Sequence, residues 1–267
     1  MNESLIKYLA GLLDADGSLA FAFKADPNNE GQCFVGLHMR LSSSDAVDRH
    51  GFVETLPTLT GMGGVYRSGP KGQFKTWLIA KRADLEMLLP RLIKHMVIKG
   101  KHWDWLLNCW RELRQETKTV TNAERKAWVE LSKESRRTNS GPLKAKNHPT
   151  WAWVAGYLDG DGCYTYRQHT DSSRSWVMHV SAVAHVNDLH VLEFLQKAFG
   201  GRLYEQGQSD MVKIWRRSIG YQNRSFALSF LPKVVKHSRL KRHKIEAIIH
   251  HHRQRLSVQG VKAQATV

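Results

Sequence analysis

The sequence predicts an α+β fold of two like halves, each with the order αββαββα, and three features carry that expectation. A nonapeptide occurs twice, LAGLLDADG at 9–17 and VAGYLDGDG at 154–162, sharing the frame apolar, Ala, Gly, variable, Leu, Asp, small, Asp, Gly. The same succession of alternating and helical segments follows each copy. A polar, charged stretch at 117–149 separates the two runs. The expected division is an N-terminal half at 1–116, a linker at 117–149, a C-terminal half at 150–258 and a tail at 259–267.

The elements follow in order. The first nonapeptide is read as the end of a helix. Ser18 to Lys24 alternates, and so does Phe34 to Ser42, where Val35, Leu37, Met39 and Leu41 interleave with Gly36, His38, Arg40 and Ser42. A period of two with one apolar set describes a half-buried strand. Asp45 to Thr60 has helical spacing through Val47, Phe52, Val53 and Leu56 and stops at Gly61. GGVY at 63–66 and QFKTWLIA at 73–80 are strands around the turn Gly69-Pro70-Lys71-Gly72. Residues 82–96 and 101–116 read as amphipathic helices, with Pro90 expected to start or kink a turn. The second half repeats this: strands at 163–169 and 176–185, a helix from Asn187 to Phe199, strands at 200–204 and 212–218, helices near 224–237 and 241–256.

The offsets agree with a domain-sized repeat. Asp16 and Asp161 lie 145 apart (161 − 16), Lys75 and Lys213 138 apart (213 − 75), and Lys99 and Lys241 142 apart (241 − 99). Within the linker only Trp128, Val129 and Leu131 are large and apolar, and 122–134 has helical character.

Composition narrows the partner. Forty Lys and Arg against 24 Asp and Glu leave a net charge of +16, spread over the whole chain, which points to a polyanion and foremost to nucleic acid. Cys33, Cys109 and Cys163 are too few and too scattered for a disulfide framework or a zinc site, as expected of a protein in a reducing compartment. Neither a signal peptide nor a membrane-spanning run is apparent, so the expectation is a soluble intracellular protein that does not engage membranes.

The repeated motif has a physical logic. Ala10 with Gly11 and Ala155 with Gly156 present almost no side chain, so two such helices can meet backbone to backbone and form a seam. The closing Gly can adopt the left-handed conformation and turn the chain into a strand. Asp is disfavoured at a helix C-terminus, so Asp16 and Asp161, repeated there, call for a cation. Oxygen ligands suit Mg²⁺, which keeps waters and takes further ligands from phosphates.

These nonapeptides resemble the defining sequence of the LAGLIDADG homing endonucleases, and the order of elements resembles that family's core, over nearly all of the chain except the linker. The resemblance implies a single-chain, monomeric enzyme whose pseudo-twofold halves form a DNA-binding saddle of antiparallel sheets. It implies hydrolysis of both strands of a long, pseudo-palindromic or asymmetric DNA target with a short 3′ overhang, as in intron homing. By the same resemblance Asp16 and Asp161 are the metal-binding catalytic acids, with Mg²⁺ as cofactor and Mn²⁺ or another divalent cation able to substitute. Asp14 and Asp159 then cap or brace helix ends. The family's basic residue near the scissile phosphate falls on Lys99 and Lys241, where a cation can stabilise the phosphorane or orient water. The Gln that often orders water in the family is missing: Ser42, Ser43 or Asp45 stands in its region, and Ala184 or His185 in the other half.

For DNA contact, alternation assigns Lys24, His38, Arg40, Ser42 and Arg67 to the polar face of the first sheet, and Thr165, Arg167, His169, His179 and Gln206 to that of the second. Lys75 and Lys213, each two before a Trp, join them. Trp77, Trp103, Trp105, Trp110, Trp153 and Trp215 fall at core spacing. His250, His251 and His252 diverge around a helix, cannot chelate one ion, and read as basic surface. Rival readings are an intron RNA maturase, with host intron RNA as partner, and a catalytically silent DNA-binding regulator of the same fold. The retained acids and lysines favour cleavage.

Overall fold

The computed structural model describes residues 1–48, 50–116, 119–139, 141, 150–168, 176–185, 189–205, 212–219 and 224–264. The chain forms two compact units, Met1–Gly160 and Asp161–Val267.

The first unit begins with α1 (Glu3–Asp16), whose N-cap Asn2 accepts the Leu5 N–H at 2.8 Å. There follow β1 (Gly17–Ala25), β2 (Gln32–Ser44), α2 (Phe52–Thr60), β3 (Gly64–Ser68), β4 (Phe74–Ile79), α3 (Arg82–Ile93) and α4 (Gly100–Glu116). β5 (Thr119–Thr121), α5 (Asn122–Thr138) and α6 (Trp151–Gly160) complete it. The antiparallel sheet has the order β1-β2-β4-β3, with β5 on the opening residues of β2. Along β2 the burial alternates: Cys33, Val35, Leu37, Met39 and Leu41 are buried beneath helices α3, α4 and α5. Trp77 and Ile79 of β4 join them, in register with Leu41 and Met39.

Within the segment expected as a linker, the helical stretch expected at 122–134 is α5 (Asn122–Thr138). A capping box between Thr121 and Glu124 starts α5, and Trp128 packs edge-on against Phe21 of β1, ring centres 5.8 Å apart.

The last helix, expected at 241–256, runs on to Gln264, and two features of the first unit also differ from expectation. The helix expected from Asp45 starts only at Phe52, because Gly51 is left-handed at φ 67° and the Asp48 carboxylate accepts the Phe52 and Val53 N–H groups at 2.6 and 2.9 Å. Asp48 thus satisfies the open N–H groups at the start of α2. Pro90, expected at a turn, sits inside the last turn of α3, which runs on to Ile93.

The second unit repeats the order with β6 (Gly162–Gln168), β7 (Trp176–His185), α7 (Leu189–Phe199), β8 (Arg202–Glu205), β9 (Val212–Ile219), α8 (Arg224–Val235) and α9 (Arg242–Gln264). Its sheet order is β6-β7-β9-β8, again antiparallel. Pro232 lies within the last turn of α8 as Pro90 does in α3. Val180, Ala182 and Ala184 of β7, with Val191, Leu192 and Leu195 of α7, form its core.

Candidate functional site

The site is organised by the packing of α1 on α6. A Cβ built on Gly11 would stand 2.0 Å from the Trp153 carbonyl oxygen and 2.9 Å from the Tyr157 nitrogen. One built on Gly156 would stand 2.0 Å from the Tyr8 carbonyl oxygen and 2.8 Å from the Leu12 nitrogen. Only glycine fits at either position, and Ala10 and Ala155 beside them are fully buried. The Tyr8 hydroxyl donates to the buried Asp159 at 2.8 Å, and the Trp153 and Tyr157 rings stack at 5.2 Å.

Asp14 and Asp16, two residues apart, do different things. Asp14 is buried and accepts the backbone N–H groups of Val97 (2.7 Å), Ile98 (3.3 Å) and Lys99 (2.9 Å), and the Trp153 indole N–H (2.9 Å). It therefore anchors the loop entering α4 to the seam. Burial pushes its carboxyl upward against the opposing pull of these donors and of Lys99. Asp16 is exposed at the end of α1, its Oδ2 3.0 Å from where a Cβ on Gly160 would stand. Gly17, expected in the left-handed conformation, is instead extended at φ −76°, ψ 150°. Glycine is required there because a Cβ would lie 2.5 Å from the Leu13 carbonyl oxygen.

Lys99 closes the helix end. Its Nζ donates to the carbonyls of Leu13, Ala15 and Gly17 at 3.0, 2.9 and 2.9 Å. An ammonium has three N–H donors, and all three are engaged by the terminal carbonyls of α1 and their successor, where a cation also complements the helix dipole. In the second unit the buried Lys241 donates to the Gly162 carbonyl, the counterpart of Gly17. Asp161, just before that glycine, is half-buried.

A further polar group holds α5 to the start of α4. His102 is buried, its Nδ1 3.1 Å from the Ser135 hydroxyl, which also accepts from Asn139 at 3.0 Å. The Gly141 N–H donates to the Ile98 carbonyl at 2.6 Å and the Lys101 N–H to the Gly141 carbonyl at 3.1 Å. Burial, with the charges of Arg136 and Lys99, lowers His102 to about 4. No sequence periodicity marks this group, because it joins residues of two elements far apart in the chain.

The open face of the first sheet bears Lys24, His38, Arg40 and Ser42, as alternation had them. Arg40 Nη2 lies 3.5 Å from His38 Nδ1, and burial followed by the Arg40 charge lowers the His38 imidazole. Ser42 and Thr76 share a hydrogen bond of 2.8 Å across β2 and β4. Thr76, Phe34, Tyr66 and Phe74 belong to the same face by register and were not anticipated, though the alternation that selects His38 also selects Phe34.

Arg67 and Lys75 are on the opposite face, which corrects their expected placement. They are in register with each other, and Lys75 shares its parity with buried Trp77 and Ile79. Lys75, 6 % exposed, donates to Asp45 and Glu54, both at 3.1 Å, and Arg67 to Glu54 at 2.6 Å and the Gly72 carbonyl at 3.1 Å. Hydrogen bonding from Lys75 first, then burial acting against it, leaves the Asp45 carboxyl below its usual range; Arg67 does the same for Glu54. Lys213 is in backbone register with Ala184 and with Glu205. Thr165 is exposed and in register with His179, and Arg167 shares its parity. His169 and Gln206 lie outside the described residues.

Comparison with solved structures decides the fold. The chain is similar to the LAGLIDADG homing endonuclease I-GzeII in complex with its DNA target, at TM-score 0.70 and 12% identity over 97% of this chain and 91% of that one. The chain has the LAGLIDADG homing endonuclease fold. It is likewise similar to I-SmaMI bound to uncleaved DNA with calcium ions, at TM-score 0.67 and 16% identity over 98% and 96% of the two chains. The LAGLIDADG meganuclease I-AabMI bound to uncleaved DNA gives TM-score 0.68 and 15% identity over 96% and 92%. No protein-family model matches the chain, and no curated protein sequence does. No helix among the described residues is long and apolar enough to cross a membrane. The glycine contacts of α1 and α6 and the Lys99 cap are thus features of this chain's version of the fold.

Proposed function

We propose that this protein is a site-specific DNA endonuclease that hydrolyses both strands of a long duplex target, leaves a short 3′ overhang and works as a monomer. The observation that carries the reading is Asp16: an exposed carboxylate at the point where α1 gives way to β1, on a helix fixed by Gly11, Gly156 and the Lys99 cap. DNA-bound structures of the same fold support it.

Asp16 in the first unit and Asp161 in the second are each candidates to hold a divalent ion, with Mg²⁺ preferred and Mn²⁺ able to substitute. Carboxylate oxygen suits such a hard cation. Among the described residues no three His, Cys, Asp or Glu side chains converge, so the ion's remaining ligands would be water and phosphate oxygens. When bound it supplies charge stabilisation and an acidified water at the scissile phosphate. Lys99, with its three donors engaged, acts through its charge and by fixing the strand start behind Asp16; we assign it a positioning role, and Lys241 the same role in its own unit. Arg40, His38, Lys24, Ser42, Thr165, Arg167 and His179 are the candidates for DNA contact. Arg67 and Lys75, committed to acids, are not.

The test is to incubate the purified chain with a randomised or host-derived DNA library and Mg²⁺ and to sequence the ends produced. Discrete ends that disappear in Asp16→Asn and Asp161→Asn, with binding retained, are expected. Specific binding that never yields ends, with any divalent metal, would exclude the endonuclease.

A further inference from the structure

The open face of the first sheet is more apolar than a phosphate-binding surface needs to be. Phe34, Tyr66 and Phe74 are 40, 59 and 44 % exposed on it. Ala20 also belongs to it, in register with His38, and so does Leu78, in register with Arg40. Isolated exposed apolar groups are ordinary, but these share one face, and each stands across the ladder from a polar partner. Phe34 is in register with Lys24, Phe74 with Ser44 and Tyr66 with Thr76. The face is therefore a grid of apolar and hydrogen-bonding pairs.

Such a grid fits one kind of base-pair edge. In the major groove a T·A pair presents a methyl group beside the thymine O4 acceptor, whereas G·C presents acceptors and a donor and no methyl. We propose that the first sheet reads thymine C5-methyl groups, and so selects a half-site rich in T·A pairs, with Arg40 as its guanine reader. This rests on the DNA-binding reading above; the chain's charge of +16 and the fold commit the face to duplex DNA over a protein partner. Position follows from the strand. Residues advance about 3.3 Å along a strand and base pairs about 3.4 Å along a duplex. Counted from Asp16, Ala20 falls about four pairs out and Lys24 with Phe34 about eight.

The experiment uses the full chain in Ca²⁺. Random duplexes are selected for binding, and the half-site read by the first sheet is identified as the one whose preference Arg40→Ala relaxes. Each thymine in that half is then replaced by deoxyuridine, which removes only the methyl. Affinity is expected to fall about fourfold for each methyl read, the factor for one buried carbon. Phe34→Ser and Phe74→Ser, both at exposed positions, should abolish the thymine–uracil difference at their own positions and leave the difference at the other positions in place. Specific binding with a G·C-rich half-site, or with no response to uracil, overturns the proposal and leaves the DNA reading standing. No specific binding, or self-association through this face that DNA does not dissolve, overturns both.

Discussion

Gly11→Ala tests the packing on which the site depends. The new Cβ would sit 2.0 Å from the Trp153 carbonyl oxygen, where ordinary contact begins near 3.4 Å, so α6 must withdraw by about 1.4 Å (3.4 − 2.0) or tilt. Backbone cannot rotate away as a side chain can. A gap of about 0.5–1 Å already forfeits a quarter to a half of the dispersion energy along a contact, so this one forfeits more, and it stretches the Tyr8–Asp159 and Trp153–Asp14 hydrogen bonds, at 2.8 and 2.9 Å, beyond useful length. Overpacking costs about 1–3 kcal/mol and each weakened buried hydrogen bond about 1 kcal/mol, giving roughly 4 kcal/mol. For a chain of this size that is a fall in Tm of about 10 °C, read by calorimetry or circular dichroism. Gly156→Ala should cost about as much. The double variant should cost less than the sum, because helices parted for one methyl have room for the second. Gly36→Ala is the control: its Cβ would meet only Ala22, at 3.5 Å or beyond, and stability should be nearly unchanged. A Gly11→Ala protein melting within about 2 °C of the parent would refute the backbone-to-backbone seam.

Three further outcomes are expected. His102 has a folded pKa of about 4 against 6.5 unfolded, so between these values the unfolded chain takes up a proton that the folded chain refuses. Its contribution is complete above pH 6.5 and lost as pH falls toward 4, up to about 3 kcal/mol; denaturant melts across that window should show the slope, and His102→Gln should flatten it. Lys99→Met removes the ammonium donor from the carbonyls of Leu13, Ala15 and Gly17; a loss of about 2–4 kcal/mol with cleavage reduced more than DNA affinity is expected, and unchanged cleavage would remove Lys99 from the site. Arg40→Ala should weaken DNA binding and relax base preference, whereas Arg67→Ala should leave binding intact in a gel-shift titration and, its ion pairs being solvent-screened, change stability little.

Reading faces from sequence worked where the strand itself carried the signal. β2 has five buried residues of one parity and, from Gly36 onward, polar or small ones between, so His38, Arg40 and Ser42 could be assigned from the pattern alone. β3 has no such signal: in GVYRS adjacent Val65 and Tyr66 are both apolar, and the parity of Arg67 is set by its pairing through the Gly69–Gly72 turn with Lys75. In β4 each parity carries large apolar groups, Phe74 and Leu78 on one and Trp77 and Ile79 on the other, so the side on which Lys75 falls is decided by what packs there. What packs there is Asp45 and Glu54, an acidic pair that a basic side chain can satisfy without DNA. Charge alone therefore selects cations of two kinds, those facing the solvent and those already neutralised, and only tertiary structure separates them.

The same distinction applies to the motif. Its spacing marks two aspartates per copy but not their division of labour, which follows from a difference of two positions on one helix. Residue 14 points inward, where four N–H donors from the seam and from the loop before α4 meet it, while residue 16 lies beyond the last buried turn. A carboxylate with four donors is too engaged to exchange ligands with an ion and a phosphate. An exposed one, on a helix end fixed by glycine contacts and a lysine cap, combines solvent access with a fixed position, which is what the proposed metal-assisted phosphodiester reaction requires of the protein. Rigidity and availability are thus separated onto Asp14 and Asp16, and the buried acid makes the exposed one useful by holding the loop that carries Lys99.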